Sequence, residues 1–328
     1  MKAVYITEPG GPEKLEIRDV PDPSKPTGTD VLVRVRAAGL NRADLIQRRG
    51  LYPPPAGYSP NIPGLEFAAE VVETGNDVSQ FKPGDRVFGI TAGEAHAELL
   101  KIDYRLLAPV PAQLDLLEAA AIPEVFITAY DSVFTQALLA GDDTLLIHAV
   151  GSGVGLAALQ LAKAKGHRVI GTSRSRDKLD RCREYGLDHG IVVGDPPQFS
   201  TDVIANSDGG ANVVLDLVGG SYLDENLRSM ALKGRIMLVG LTAGRKADFD
   251  LGLPLSKRLK LIGTVLRTRS LDEKAEATRV FATEVVPMFE DGSVRPNLDR
   301  VFDLHDVRSA HEYLESNESF GKVVLRFD

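Results

Sequence analysis

The sequence holds a single cysteine, Cys182, and no tryptophan. One cysteine forbids an intrachain disulfide and any zinc site assembled from several thiolates. Excess base is also missing: 38 Lys and Arg stand against 46 Asp and Glu, a net charge of −8. That balance argues against general binding to nucleic acid or to an anionic membrane surface. The opening Met1-Lys2-Ala3-Val4-Tyr5-Ile6 runs at once into Glu8-Pro9-Gly10-Gly11, without the apolar stretch and small-residue cleavage site of a signal peptide. Residues 144–162 carry no Asp, Glu, Lys or Arg, yet Gly151-Ser152-Gly153-Val154-Gly155 sits in their middle, a poor centre for a membrane helix. Internal repeats and low-complexity tracts are absent too. These absences predict a soluble, cytoplasmic protein with no nucleic-acid or membrane partner.

What is present is patterned apolar sequence. At 328 residues, 43% hydrophobic and 26% charged, the chain is long enough for two domains with separate cores. In the first hundred residues the runs are short. Val31, Val33 and Val35 alternate with Leu32, Arg34 and Arg36, the period-two mark of a half-buried strand. Residues 67–78, 86–90 and 95–102 read alike, divided by turns at Gly75-Asn76 and Lys82-Pro83-Gly84-Asp85. A compact β-barrel-type domain follows. From Leu116 the character changes. Residues 116–121 and 125–139 have helical length, and six short apolar runs succeed them at 145–149, 168–172, 190–193, 213–217, 236–240 and 261–266. Most gaps between these runs have room for a crossover helix, as at 179–185 and 222–231, which predicts an α/β domain with a doubly wound parallel sheet. Residues 272–289 and 306–316 predict two more helices, and 322–327 a final strand. The sheet domain is therefore an insertion, and the C-terminal segment completes the first domain.

The strongest local signal is His148-Ala149-Val150-Gly151-Ser152-Gly153-Val154-Gly155-Leu156, a strand, a tight glycine turn and a helix start. Glycines let the backbone approach a pyrophosphate, and the N–H groups of a helix N-terminus stabilise its charge. Gly151 and Gly153 fit the G-x-G-x-x-G pattern, whereas Leu156 takes the place of its third glycine. Cofactor choice is read at the end of the second strand, where NAD enzymes carry an acid for the ribose 2′-hydroxyl. Here Val169-Ile170-Gly171-Thr172 leads into Ser173-Arg174-Ser175-Arg176-Asp177-Lys178. Cations and hydroxyls suit a 2′-phosphate, so the expected cofactor is NADPH.

Several separate motifs in order, Asn41-Arg42-Ala43-Asp44-Leu45-Ile46-Gln47-Arg48, Gly50, Tyr52, Ala120-Ala121-Ile122-Pro123-Glu124, Ser152-Gly153-Val154-Gly155, Leu215-Asp216-Leu217-Val218-Gly219-Gly220-Ser221-Tyr222, Leu266-Arg267-Thr268-Arg269-Ser270 and Gly321-Lys322-Val323-Val324-Leu325, carry a resemblance over essentially the whole chain. It resembles the zinc-independent quinone oxidoreductases of the medium-chain dehydrogenase/reductase superfamily, the tumour-suppressor-inducible subfamily more than zeta-crystallin. The resemblance implies a GroES-like catalytic domain at 1–121, completed by 268–328, and an NADPH-binding Rossmann domain at 122–267. It also implies catalytic roles for Tyr52, beside the nicotinamide, and Asn41, with Thr128 as a polar neighbour. Gly151, Ser152, Gly153, Val154 and Gly155 would hold the pyrophosphate, and Ser173, Arg174, Ser175 and Lys178 the 2′-phosphate. Gly240-Leu241 and Leu266-Arg267 would supply backbone contacts, and Asn317 a contact from the C-terminal segment. Relatives often carry a tyrosine near the adenosine; Val192-Val193 stands there instead. Such reductases are commonly homodimers, and residues 259–265 are the candidate edge strand.

Zinc relatives use a cysteine and a His-Glu pair where this chain resembles them with Asn41 and Gly64-Leu65-Glu66. Asparagine and leucine cannot replace thiolate and imidazole on tetrahedral zinc, and the six histidines show no close ligand spacing. No metal is expected. Without a Lewis acid, alkoxide stabilisation is lost, but a quinone delocalises incoming charge itself. The expected activity is NADPH-dependent hydride transfer to a quinone in an interdomain cleft. The alternatives are reduction of an enone or enoyl thioester on the same fold, or a non-enzymatic, crystallin-like NADPH-binding protein.

Overall fold

The computed structural model describes residues 1–327. Residues 1–127 and the segment from Leu266 form one compact unit, and Thr128–Val265 forms a second. These limits lie a few residues from the divisions at 121/122 and 267/268 expected from sequence, for local reasons. The Glu124 N–H donates to Glu66 Oε2 at 2.9 Å, and Phe126 meets Phe289 edge-on at 4.8 Å, tying 123–127 to the first unit. The Arg267 side chain bonds to Gln47 and Ala92 of that unit.

In the first unit β1 (Lys2–Ile6) and β2 (Leu15–Asp19) form an antiparallel pair. β3 (Asp30–Leu40) pairs antiparallel with β4 (Glu66–Thr74), and β4 with β5 (Arg86–Ile90). β6 (Leu99–Asp103) pairs with β3, and β7 (Leu107–Pro109) with β5. Val31, Val33 and Val35 all point inward, as their alternation predicts. Beyond Val35 the pattern stops alternating: Ala37 to Leu40 are all buried. At Gly39 a Cβ would meet the Glu66 carboxylate and Ala120 O, so only glycine admits that carboxylate beside the strand. Helices α1 (Arg42–Arg48), α2 (Leu116–Ala119) and α3 (Pro123–Tyr130) follow the chain through this region.

The helix expected over 125–139 ends early. Asp131–Gln136 forms a π-helical turn, and Leu138 has φ 54°. Arg235 satisfies the carbonyls left over: Nε donates to Ala137 O at 2.7 Å and Nη2 to Leu138 O at 2.8 Å.

All six apolar runs of the second unit are strands: β8 (Thr144–Ile147), β9 (Arg168–Ser173), β10 (His189–Val192), β11 (Ala211–Asp216), β12 (Met230–Leu238) and β13 (Lys260–Gly263). They form one parallel sheet in the order β10-β9-β8-β11-β12-β13. Helices α4 (Gly153–Ala164), α5 (Arg176–Cys182), α6 (Ser200–Ala205), α7 (Tyr222–Ser229) and α8 (Gly252–Lys257) accompany the strands. The near-continuous apolar strands are covered on both faces, and Leu146, Ile170, Val214 and Ile236 are fully buried in the core. Strand order reverses between β8 and β11, so their carboxyl ends open a crevice where such sheets bind ligands.

The chain then returns to the first unit. α9 (Leu271–Glu284) and α10 (Val286–Glu290) replace the single helix expected over 272–289, because Pro287 at the start of α10 cannot donate into a continuous helix. β14 (Leu298–Asp303), α11 (Val307–Glu315) and β15 (Lys322–Arg326) complete the unit. β15 lies between β14 and β3 in the order β14-β15-β3-β4-β5-β7, so the C-terminal segment is built into the first sheet.

Candidate functional site

In the second unit the expected cofactor residues gather at the carboxyl ends of the strands. Ser152 caps α4, its Oγ accepting from the Gly155 N–H at 3.2 Å. The first turn leaves the Gly153 and Val154 N–H groups without intrahelical partners, aimed outward at the positive end of the helix. A Cβ on Gly155 would lie 2.6 Å from both Ala149 O and Val150 O. The close packing that the third glycine normally permits thus falls on Gly155, one residue before Leu156, which explains the imperfect pattern. At the end of β9, Ser173 Oγ accepts from the Ser175 N–H at 3.1 Å, and Ser175 Oγ from the Lys178 N–H at 3.3 Å. Arg174 beside them is exposed, and no acid stands at that strand end. Gly240 follows β12, its N–H donating to Asp216 O at 3.2 Å, and Leu241 is exposed next to it. This backbone cradle with a cationic rim fits a nicotinamide dinucleotide.

A buried network supports these strand ends, and sequence reasoning missed it. His148 Nε2 lies 2.5 Å from Asn226 Oδ1, and His148 Nδ1 lies 2.8 Å from Thr172 Oγ1. Asn226 Nδ2 donates to Asp216 Oδ2 at 3.0 Å, and Asp216 Oδ1 accepts from the Val218 and Gly219 N–H groups at 2.8 Å. Burial holds the imidazole of His148 below its ordinary range against the pull of Asp216, so at neutral pH it is a neutral strut linking β8, β9 and β11. An aspartate closing an apolar strand before Gly219-Gly220 was the available signal. Cys182 on α5 is buried, and burial pushes its thiol up to about 12, far from a reactive thiolate.

The first unit holds a different kind of site. Asn41 begins α1 with a capping box: its N–H donates to Asp44 Oδ2 at 2.8 Å, while Asp44 Oδ1 accepts from the Gly64 N–H at 3.0 Å. The Asn41 amide is engaged at both ends inside the chain. Nδ2 donates to Glu66 Oε1 at 2.8 Å, and Oδ1 accepts from Lys322 Nζ at 2.8 Å. Lys322, from β15, also pairs with Glu66 at 2.5 Å and donates to Leu40 O at 2.6 Å. Both partners of this ion pair are buried.

Tyr52 follows α1 and is half-buried. The Arg267 guanidinium lies over its ring, 4.8 Å from the centroid. Arg267 is held by Ala92 O at 2.8 Å, Tyr52 O at 2.9 Å and Gln47 Oε1 at 2.5 Å. Its side chain is thus committed to the first unit. Burial raises the Tyr52 phenol, and Arg267 opposes that rise. Asn317 lies just past α11 with φ 63°, a left-handed position that asparagine tolerates at helix ends, and its Oδ1 accepts from Arg42 Nη2 at 2.5 Å. Thr128 is half-buried on α3. Sequence reasoning assigned no role to Lys322, Asp44 or Glu124. Burial pushes the Glu124 carboxyl up to about 8, helped by the neighbouring charge of Glu66. Among the described residues no three His, Cys, Asp or Glu side chains converge in a metal-binding group.

Doubly wound sheet, glycine cradle and separate β-rich unit together define a two-domain dehydrogenase/reductase architecture. Residues 153–283 match the zinc-binding dehydrogenase family, and residues 27–111 match the alcohol dehydrogenase GroES-like domain. A quinone oxidoreductase of Pseudomonas aeruginosa is 33% identical over 326 residues, 99% of this chain and 99% of that one. The acryloyl-coenzyme A reductase of Metallosphaera sedula is 30% identical over 352 residues, again 99% of each. The spectinabilin polyketide synthase system protein NorB of Streptomyces orinoci is 33% identical over 96% of this chain, which spans only 14% of that protein's length. The solved Escherichia coli quinone oxidoreductase complexed with NADPH shares the fold with a TM-score of 0.88 and 27% identity, covering 100% of both chains. The chain belongs to the quinone oxidoreductase family of the medium-chain dehydrogenases/reductases.

Proposed function

We propose that the protein is an NADPH-dependent quinone reductase that works without a metal ion. The observation that carries this reading is the carboxyl end of β9, where Ser173, Arg174, Ser175 and Lys178 stand in place of an acid. In this reading the 2′-phosphate lies on those four residues and the pyrophosphate on Gly151, Ser152, Gly153, Val154 and Gly155. Gly240, Leu241, Leu266 and Arg267 offer backbone contacts further along, with Thr128 and Asn317 as polar neighbours. When bound, the reduced nicotinamide supplies a hydride.

The rest of the task falls to the chain's own side chains. Arg267 holds the Tyr52 ring as a flat surface against which a planar acceptor is oriented. The Asn41 amide, fixed by Glu66 and Lys322, keeps one N–H for the acceptor's carbonyl oxygen. Metal-free chemistry is supported by the donor set: the cation beside Asn41 and Glu66 is the Lys322 ammonium, and a quinone needs no Lewis acid to spread incoming charge.

The test is NADPH and NADH oxidation measured side by side with naphthoquinones, ortho-quinones and a crotonyl thioester. Quinone turnover that prefers NADPH is expected; no turnover of any quinone overturns the proposal. The similarity to acryloyl-coenzyme A reductase supports a second reading, reduction of an enoyl thioester, which the crotonyl arm decides. Tight NADPH binding without turnover of any acceptor would instead mark a binding protein. Tyr52→Phe keeps the ring and removes the hydroxyl, so unchanged quinone turnover would leave Tyr52 no role in proton donation.

The same reading includes a homodimer through β13, an edge strand bearing the exposed Leu261. A monomer in light scattering at micromolar concentration would refute it. No described helix is long and apolar enough to cross a membrane, and a cytoplasmic location goes with the proposal.

A further inference from the structure

We propose that Asp216 is a positioning residue for the dinucleotide. Its carboxylate sets the direction of a buried hydrogen-bond chain that locks the glycine turn, the end of β9 and the turn after β11 into one cradle. This rests on the reading above, in which the second unit binds NADPH, and every residue involved lies within that unit.

Direction follows from the donors and acceptors present at each link. Asp216 Oδ1 accepts the Val218 and Gly219 N–H groups at 2.8 Å, and Oδ2 meets the Asn226 amide at 3.0 Å. A carboxylate has no hydrogen to give, so Asn226 turns its Nδ2 toward it and its Oδ1 away. That oxygen lies 2.5 Å from His148 Nε2, which therefore carries the ring's hydrogen. Burial disfavours a charged imidazole, so Nδ1 keeps its lone pair and accepts the Thr172 hydroxyl at 2.8 Å. One charge thus fixes an amide orientation, a histidine tautomer and a hydroxyl rotor in turn. Phe199 and Tyr222 each pack 4.9 Å from the His148 ring and hold its plane.

Both ends of the chain are fastened to cradle backbone. At one end, Thr172 immediately precedes Ser173. Its carbonyl accepts the Val150 N–H at 3.1 Å, one residue ahead of the glycine turn. At the other end, the Asp216 side chain holds residues 218–219, while its carbonyl accepts the Gly240 N–H at 3.2 Å. The Ala243 N–H donates back to Val218 O at 2.8 Å and joins the two loops. Thr172, His148, Asn226 and Asp216 are each at most 1% exposed, so none can reach a ligand directly. Their effect on binding passes through the backbone they hold.

Asp216→Asn separates this role from packing. The new amide still accepts from Val218 and Gly219 but presents N–H groups to Asn226. Asn226 then flips and donates to His148 Nε2, which moves the ring hydrogen to Nδ1 and toward Thr172 Oγ1. Every bond is remade with its direction reversed.

Two measurements on the full chain test the proposal. Nitrogen-15 resonances of histidine-labelled, cofactor-free protein report the tautomer, with His148 assigned by its absence in His148→Gln. The Nε2–H form is expected in the wild type and the Nδ1–H form in Asp216→Asn. An Nδ1–H wild type, or one tautomer in both proteins, overturns the proposal. Calorimetric titration with NADPH and with adenosine 2′,5′-bisphosphate then reads the cradle. Thr172→Val cuts the chain at constant shape and is expected to weaken both ligands about tenfold, and Thr172→Ser to restore them. Asp216→Leu is expected to weaken NADPH about a hundredfold; if it fails to fold, the Thr172 pair decides. A lower melting temperature with unchanged affinity in Thr172→Val marks a purely structural network and overturns the proposal. Wild-type protein that binds neither ligand removes the cofactor reading as well.

Discussion

The two units solve the handling of charge by opposite means. In the second unit the candidate cradle is backbone: helix N–H groups, a glycine that admits no Cβ, and strand ends braced from below by His148, Asn226 and Asp216. In the first unit the candidate site is side chain, with Asn41, Glu66 and Lys322 bonded to one another and Glu124 beside them. Backbone dipoles do not titrate, so a site made of them is indifferent to pH but sensitive to volume. A site of ionisable groups tolerates small changes of shape but responds to each change of charge.

That contrast can be broken where the expected effect is largest. Lys322→Met leaves the buried Glu66 carboxylate without its cation and is expected to cost about 3–5 kcal/mol of stability, read as a lower midpoint in chemical denaturation. Adding Glu66→Leu should recover much of the loss, because the orphaned charge is then gone. An unchanged midpoint in the single variant would mean the pair is not buried as described. Next comes Gly155→Ala. It adds one methyl group 2.6 Å from two carbonyl oxygens and, by displacing the turn, is expected to weaken NADPH about a hundredfold in calorimetric titration. Equal affinity would show that the turn has slack.

Arg174→Ala and Lys178→Ala should each weaken NADPH about tenfold and leave NADH untouched, the loss of one charge-assisted contact. Equal weakening of both cofactors would move the cluster away from a 2′-phosphate. The smallest effect concerns pH. Glu124 has a folded value raised from 4.5 to about 8, so between those values the folded protein holds a proton that the unfolded chain has lost. Stability from this group is present at acid pH and is lost as pH rises toward 8. Relative to Glu124→Gln, the wild type should therefore melt progressively lower from about pH 5 to pH 8, by a few degrees at most. Glu124 as a residue is partly exposed, and solvent screens part of the effect. A constant difference in melting temperature would contradict the raised value.

The backbone-built unit was the more legible one. Its inner strands β8, β9 and β11 are buried on both faces and read as apolar runs, the edge strand β13 is apolar although largely exposed, and the gaps between the strands had room for helices. The turn into α4 was visible in Gly151, Ser152 and Gly153, although only the structure shows that Gly155 makes the closest approach. The π-helical turn at Asp131–Gln136 was not readable, because the residue that satisfies it, Arg235, is remote in sequence. The side-chain site was obscure for the same reason on a larger scale. Glu66 and Lys322 meet only because β15 pairs with β3 and β3 with β4, a register that no local pattern reveals. Glu124 did leave a trace, as an acid inside the apolar stretch of residues 119–127, but its consequence depends on Glu66.

The position of β15 also sets an order of events during synthesis. Lys322 follows its partner Asn41 by 281 residues. At about 5–20 residues per second, ten seconds to a minute separate the emergence of the two. Over that interval the whole second unit is made and has time to fold, while Glu66 waits without its cation. The first unit to begin on the ribosome is thus the last to finish, and the nascent chain carries an unneutralised carboxylate through most of its translation.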